Sequence, residues 1–74
     1  MTLVMYMKPG CPWCEEQRER FRSQGVEWEE IDAKADPAAR AELIRYTDGT
    51  RTVPTVVEDG RVVSVGFDGH GRHV

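Results

Sequence analysis

The sequence predicts an α/β domain: a four-stranded mixed sheet with helices packed on it. Three observations carry that prediction. A strand-length apolar run opens the chain, two segments with helix start and stop signals follow with a short β-type segment between them, and two β-branched runs flank Asp59-Gly60. Residues 2–7 make up the opening run, which is rich in β-formers and has the length of a strand buried on both faces. Lys8-Pro9-Gly10 ends it. Pro12 suits the first turn of a helix, where its missing N–H has no partner to lose, and the Glu-, Arg- and Gln-rich stretch to Gln24 stops at Gly25, a C-cap residue. Glu15 with Arg18, Glu16 with Arg20 and Glu19 with Arg22 stand at neighbour spacings with the acid nearer the N-terminus, which predicts a solvated face. Cys14, Gln17 and Phe21 share the opposite one.

Residues 26–31 alternate in part, Val26 and Trp28 against Glu27 and Glu29, and read as a second strand near a sheet edge with Trp28 as a packing residue. Asp36-Pro37 reads as an N-cap and a first-turn proline, and residues 38–46 place Ala39, Leu43 and Tyr46 on one stripe of a second helix that ends near Gly49. Residues 53–57 and 61–65 flank Glu58-Asp59-Gly60, a strong hairpin signal. The order is strand, helix, strand, helix, hairpin. The first connection is long enough for a parallel crossover, and the last two strands must be antiparallel. Residues 66–74 carry three glycines and no periodic apolar face, so at most one helical turn is expected there. Tyr6 and Tyr46 are assigned to the core, and His70 and His73 to solvent.

Seventy-four residues make one domain, spanning 1–74. Ten basic residues interspersed among thirteen acidic ones give a net charge of -3, and no segment collects the Lys and Arg that binding nucleic acid requires. The apolar start lacks a charged leader and is too short for a membrane span, so a cytoplasmic protein without a membrane partner is expected. Two cysteines separated by only two residues constrain an unfolded chain little, which points to chemistry rather than a structural disulfide.

In Cys11-Pro12-Trp13-Cys14 the first cysteine falls beside the N-cap of the first helix, where unpaired backbone N–H groups and the positive dipole end favour a thiolate. Lys8 adds a positive charge nearby, whereas Glu15 and Glu16 oppose ionisation from solvated positions. Cys14, one turn further in, should be less exposed and able to attack a mixed disulfide on Cys11. The rival readings of the pair are a zinc half-site and two inert thiols. Zinc needs four ligands and finds only His70 and His73 in a glycine-rich tail. A strand followed by C-x-x-C opening a helix is the redox context. Thr52-Val53-Pro54 is the second constellation. Pro54 either simply opens a strand or follows a cis bond that leaves the Val53 N–H and C=O free to take an extended peptide as an added strand.

Lys8-x-x-Cys11-Pro12-Trp13-Cys14, Thr52-Val53-Pro54 and Gly66-Phe67-Asp68, in that order, resemble the signatures of dithiol glutaredoxins over nearly the whole chain. The resemblance implies a thioredoxin-like fold, a nucleophilic Cys11, a resolving Cys14, a cis Pro54 and a glutathione groove. In that groove Lys8 would face a glutathione carboxylate, Thr52 and Val53 would frame its cysteinyl part, Asp68 would hold its γ-glutamyl amino group, and Trp13 would form a wall. Arg51 either meets a substrate carboxylate or is a solvated loop charge. Three departures stand out. Val65 replaces a usual glycine, Gln17 replaces a small apolar residue, and the C-terminal helix is reduced or absent. The last leaves apolar strand surface for Phe67 or a partner subunit to cover. The implied activity is reduction of glutathione mixed disulfides and protein disulfides, with glutathione as co-substrate and no permanently bound cofactor or metal. The alternatives are a glutaredoxin-like electron donor to ribonucleotide reductase, reduced by thioredoxin reductase, and an iron-sulfur cluster carrier. The Gly66-Phe67 pair and short length resemble the former. Pro12 and the second thiol speak against the latter.

Overall fold

The computed structural model describes residues 2–74. Along the chain run β1 (Leu3–Met7), α1 (Pro12–Gln24), β2 (Glu29–Asp32), α2 (Pro37–Tyr46), β3 (Thr52–Val53), β4 (Thr55–Glu58), β5 (Arg61–Val65) and β6 (Arg72–His73). Four strands form the mixed sheet in the order β2-β1-β4-β5, with β1 parallel to β2 and antiparallel to β4, and β5 antiparallel to β4. This is the expected architecture, a thioredoxin-like α/β fold.

Successive side chains of a strand point to opposite faces, and the two faces of β1 meet different helices. Tyr6 faces α2: its ring lies 5.8 Å from that of Tyr46, and its hydroxyl donates to Glu42 at 3.5 Å. Burial pushes the Tyr6 phenol up to about 12, with the Glu42 carboxylate adding to the shift. On the other face Gln17 and Phe21 of α1 share a groove with Leu3 and Val56. The centre of β1 is therefore buried on both sides, as expected, while Leu3, Val4 and Met7 are half-buried. Met5, Leu43, Val53 and Val56 anchor the core.

Both helices start where their caps predict and α1 also stops there, while α2 ends at Tyr46 with Thr47 as its C-cap, ahead of Gly49. Asp36 accepts hydrogen bonds from the Ala38 and Ala39 N–H groups at 3.0 and 3.3 Å ahead of Pro37, and Gly25 adopts the left-handed conformation (φ 68°) that closes α1. The second strand, expected over 26–31, starts only at Glu29. The Val26 N–H is still closing the helix by donating to the Phe21 carbonyl at 3.0 Å, and Trp28 packs its ring 5.3 Å from Phe21 instead of pairing.

The face of α1 expected to be solvated is only partly so. Glu15–Arg18 and Glu19–Arg22 pair as expected, but Arg20 leaves Glu16 for Asp68, at 2.8 and 3.1 Å. Arg18 makes two further contacts with the Glu30 carboxylate, at 2.7 and 2.9 Å, and its side chain is only 13% exposed. This fork-to-carboxylate geometry ties α1 to β2. It holds the Glu30 carboxyl below the usual carboxylate range and raises the Arg18 guanidinium.

The strand expected over 53–57 is split. Pro54 has no N–H to give a ladder, so β3 and β4 leave it in different sheets. The tail departs further from expectation: instead of at most one helical turn it forms β6, antiparallel to β3 with Thr52 opposite His73 and Val53 opposite Arg72. The cause is a second two-residue turn. Asp68 (φ 49°) and Gly69 (φ 82°) repeat the conformation of Asp59 (φ 49°) and Gly60 (φ 80°), and Phe67 and His70 exchange N–H···O bonds of 2.7 and 2.8 Å. Among the described residues no helix follows β5, and Val62, Val63 and Val65 on it are exposed, as expected. Phe67 covers them little, since its ring lies 4.1 Å beneath the Arg20 guanidinium at the α1 side.

Candidate active site

Cys11 is the N-cap of α1, with extended backbone (φ -90°, ψ 110°) and Pro12 as the first helical residue. Its Sγ accepts the Cys14 N–H at 3.2 Å, one of the orphan donors of the helix start. The thiol points at the Val53 carbonyl, 3.9 Å away, so the helix terminus and the cis-proline loop meet at this sulfur. A cleft of about 570 Å³ opens beside it, walled by Lys8, Pro9, Pro12, Arg18 and Arg72. Cys11 is 3% exposed and Cys14 is fully buried. Burial pushes the Cys14 thiol up to about 12, and the hydrogen bond with Cys11 adds to the shift.

The raised Cys14 thiol sets a pH dependence of stability. An acid whose folded value lies above its ordinary value of 9.0 stabilises the fold fully below pH 9 and loses that contribution as pH rises toward about 12. The reduced protein should therefore become easier to unfold in urea above pH 9, and Cys14→Ser should be less sensitive over the same window. Identical pH slopes for the two proteins, both kept reduced, would contradict the burial of this thiol.

The Val53–Pro54 peptide is cis, as expected, and Pro54 is buried. Thr55 Oγ1 donates to the Thr52 carbonyl at 2.7 Å and fixes the corner. The loop is carried by the end of α2: Thr47 Oγ1 donates to the Leu43 carbonyl at 2.8 Å and accepts the Arg51 N–H at 2.9 Å. Arg51 adopts the left-handed conformation (φ 59°), which favours glycine and has to be held by its surroundings.

Lys8, Trp13 and Arg51 gather here too, but with partners from the same chain. Lys8 Nζ donates to the His73 carbonyl at 2.9 Å. Trp13 is half-buried and stacks on His70, with ring centroids 4.4 Å apart and planes 14° from parallel. Asp68 stands apart on its turn, bound to Arg20, whose guanidinium holds the Asp68 carboxyl below the usual carboxylate range. Arg51 meets the Val74 carbonyl at 3.5 Å. Sequence reading missed His70, Arg72 and His73 as residues of this site. The signal was Asp68-Gly69, the same dipeptide that marks the hairpin at 59–60. Both tail histidines are exposed, yet His73 Nδ1 lies 2.8 Å from the Thr50 carbonyl. Among the described residues, no three His, Cys, Asp or Glu side chains converge to hold a metal ion, and no helix is long and apolar enough to cross a membrane.

The family model for glutaredoxin matches residues 3–63, most of the chain including Cys11, Cys14 and Pro54. The chain belongs to the glutaredoxin family. Its relatives include an uncharacterized glutaredoxin-like 8.6 kDa protein in the rubredoxin operon of Clostridium pasteurianum, 30% identical over 89% of this chain and 85% of that protein. Among solved structures, the thioredoxin-like protein BC3987 superposes with a TM-score of 0.72 at 40% identity, over 85% of each chain. A buckwheat glutaredoxin in complex with glutathione superposes with a TM-score of 0.70 at 30% identity, covering 86% of this chain and 59% of that one. The glutaredoxin family's general chemistry is thiol-disulfide exchange, and the paired thiols at the start of α1 are the groups in this chain suited to it.

Proposed function

We propose that this chain is a glutathione-dependent thiol-disulfide oxidoreductase that reduces glutathione mixed disulfides and protein disulfides through Cys11 and Cys14. The observation that carries this reading is the placement of Cys11 Sγ at the helix N-cap, on the Cys14 N–H and against the Val53 carbonyl. In the first step the Cys11 thiolate attacks the glutathione sulfur of a mixed disulfide. A Cys11–glutathione bond forms, the substrate S–S bond breaks, and the departing protein thiolate takes a proton from solvent. A second glutathione thiolate then attacks the bound glutathione sulfur, releasing glutathione disulfide and restoring the Cys11 thiolate, for two electrons transferred in all. Alternatively Cys14 attacks Cys11 and expels glutathione. Cys14 must first lose its proton, and burial opposes that, so the glutathione route should dominate while the site stays closed. The buckwheat glutaredoxin–glutathione complex among its structural neighbours supports glutathione as the reductant.

A second reading, an electron donor to ribonucleotide reductase reduced by thioredoxin reductase, draws support from one observation. Asp68, the anion that would hold the glutathione ammonium, is already paired with Arg20. The deciding measurement is reduction of the Cys11–Cys14 disulfide by glutathione with glutathione reductase and, separately, by thioredoxin reductase with NADPH. The proposal expects turnover with glutathione, weakened several-fold by Asp68→Arg through loss of a charge-assisted hydrogen bond. Turnover with thioredoxin reductase alone would replace the first reading by the second.

A further inference from the structure

The Val53 backbone, which the proposed function needs for an extended substrate, is already in use. In an antiparallel ladder hydrogen-bonded and non-hydrogen-bonded pairs alternate. The Val74 N–H donates to the Arg51 carbonyl at 3.0 Å, so Val53 and Arg72, two positions along, form the next hydrogen-bonded pair. The same tail takes the Lys8 ammonium on the His73 carbonyl and the Trp13 face on the His70 ring. Each residue assigned to the groove at this end of the molecule, Lys8, Trp13, Thr52 and Val53, thus meets a residue of 70–74.

We infer that residues 70–74 are a self-inhibitory strap: a built-in strand that occupies the Val53 backbone facing Cys11 and has to peel away before an extended disulfide substrate can dock there. The inference rests on the proposed oxidoreductase function for its consequence, but its geometry stands without it. The strap is made to fit closely. A Cβ on Gly71 would lie 2.7 Å from Thr52 Cγ2 and 2.8 Å from the Val53 carbonyl oxygen, so only glycine allows the two backbones to approach this far. One on Gly66, at the root of the turn, would lie 2.7 Å from the His70 carbonyl oxygen. Beside the hinge the Arg20 guanidinium lies 4.1 Å over the Phe67 ring.

The strap is also made to leave. β6 has two residues, both exposed, and belongs to neither edge of the four-stranded sheet. Segments with few buried apolar contacts open at low free energy without unfolding the rest. A groove competent for only a fraction of the time weakens apparent affinity by that fraction, so dislodging the strap should lower KM and leave kcat alone.

Two substitutions in the full chain dislodge it by different means: Gly71→Ala by overlap with the Val53 carbonyl, and Val74→Pro by removing the N–H that donates to the Arg51 carbonyl. Three quantities are compared with the parent: amide exchange at Val53, alkylation of reduced Cys11 by iodoacetamide, and KM for a glutathionylated peptide. The strap requires Val53 exchange and Cys11 alkylation to rise by about tenfold or more in both variants, with a lower KM. Unchanged exchange and alkylation would mean that the strap is not closed in solution, and the inference falls. Faster alkylation with a raised KM would make residues 70–74 part of the substrate site, which also overturns inhibition. Faster alkylation in proteins that never reduce the glutathionylated peptide would keep the strap and remove the glutathione reading instead.

Discussion

Cys11→Ser should abolish every thiol-disulfide activity of this chain, by at least about a thousandfold, because a serine hydroxyl at the helix N-cap is not ionised at neutral pH and forms no disulfide. Cys14→Ser should behave differently. It leaves the Cys11 sulfur on the same backbone donor, since the bond at 3.2 Å comes from the main-chain N–H of residue 14. The variant should therefore retain reduction of glutathione mixed disulfides, which needs only Cys11 and a second glutathione, and lose much of its reduction of protein disulfides. The measurement is turnover of a glutathionylated peptide and of a disulfide-bonded protein by each variant, with glutathione and glutathione reductase. Equal losses on the glutathionylated peptide would contradict the division of labour between an N-capping sulfur and a fully buried one. A near-normal Cys11→Ser enzyme would remove the dithiol from the chemistry altogether.

Most of the frame that presents those sulfurs was legible because local signals and tertiary demands coincide. Cys11-Pro12 opens α1 and Gly25 closes it; Asp36-Pro37 opens α2; Asp59-Gly60 turns the hairpin. Each is a short-range rule that the surrounding fold only has to accept. The errors lie where a long-range partner decides. Val26 and Trp28 alternate like a strand, yet the Val26 N–H is spent on closing the helix and the Trp28 ring on Phe21. Arg20 has Glu16 at the favoured spacing and still pairs with Asp68, forty-eight positions away. The tail is the largest case. Residues 70–74 have no apolar stripe because the strand they form is held by backbone bonds and by contacts with Lys8 and Trp13, neither of which leaves a periodic trace. The thiols, Thr52, Val53 and Pro54 could be placed from spacing and resemblance. That the Val53 backbone is occupied by the chain itself required the register of β3 against β6.

The largest effect on stability is expected from Leu43→Ala. Leu43 is fully buried on α2, and its carbonyl accepts the Thr47 hydroxyl that in turn holds the Arg51 N–H, so its side chain seats the helix from which the cis-proline loop hangs. Truncating a buried leucine removes its transfer free energy and leaves a cavity, together about 2 to 5 kcal/mol. A domain of this size has a total stability of only about 4 to 11 kcal/mol at the usual range per residue. The variant should consequently lose a large part of its stability, and the loop bearing Thr52 and Val53 should loosen before the sheet does. The control is Val63→Ala on the open face of β5, where the residue is 57% exposed and the change should stay within about 0.5 kcal/mol. Urea unfolding of the reduced proteins separates the two. A Leu43→Ala loss below about 1 kcal/mol would mean that the core collapses around the missing side chain and that α2 is not the support of the loop. A Val63→Ala loss as large as that at Leu43 would mean that the β5 face is covered in solution, by a second copy or another chain, and a concentration dependence of the unfolding midpoint would tell the first from the second.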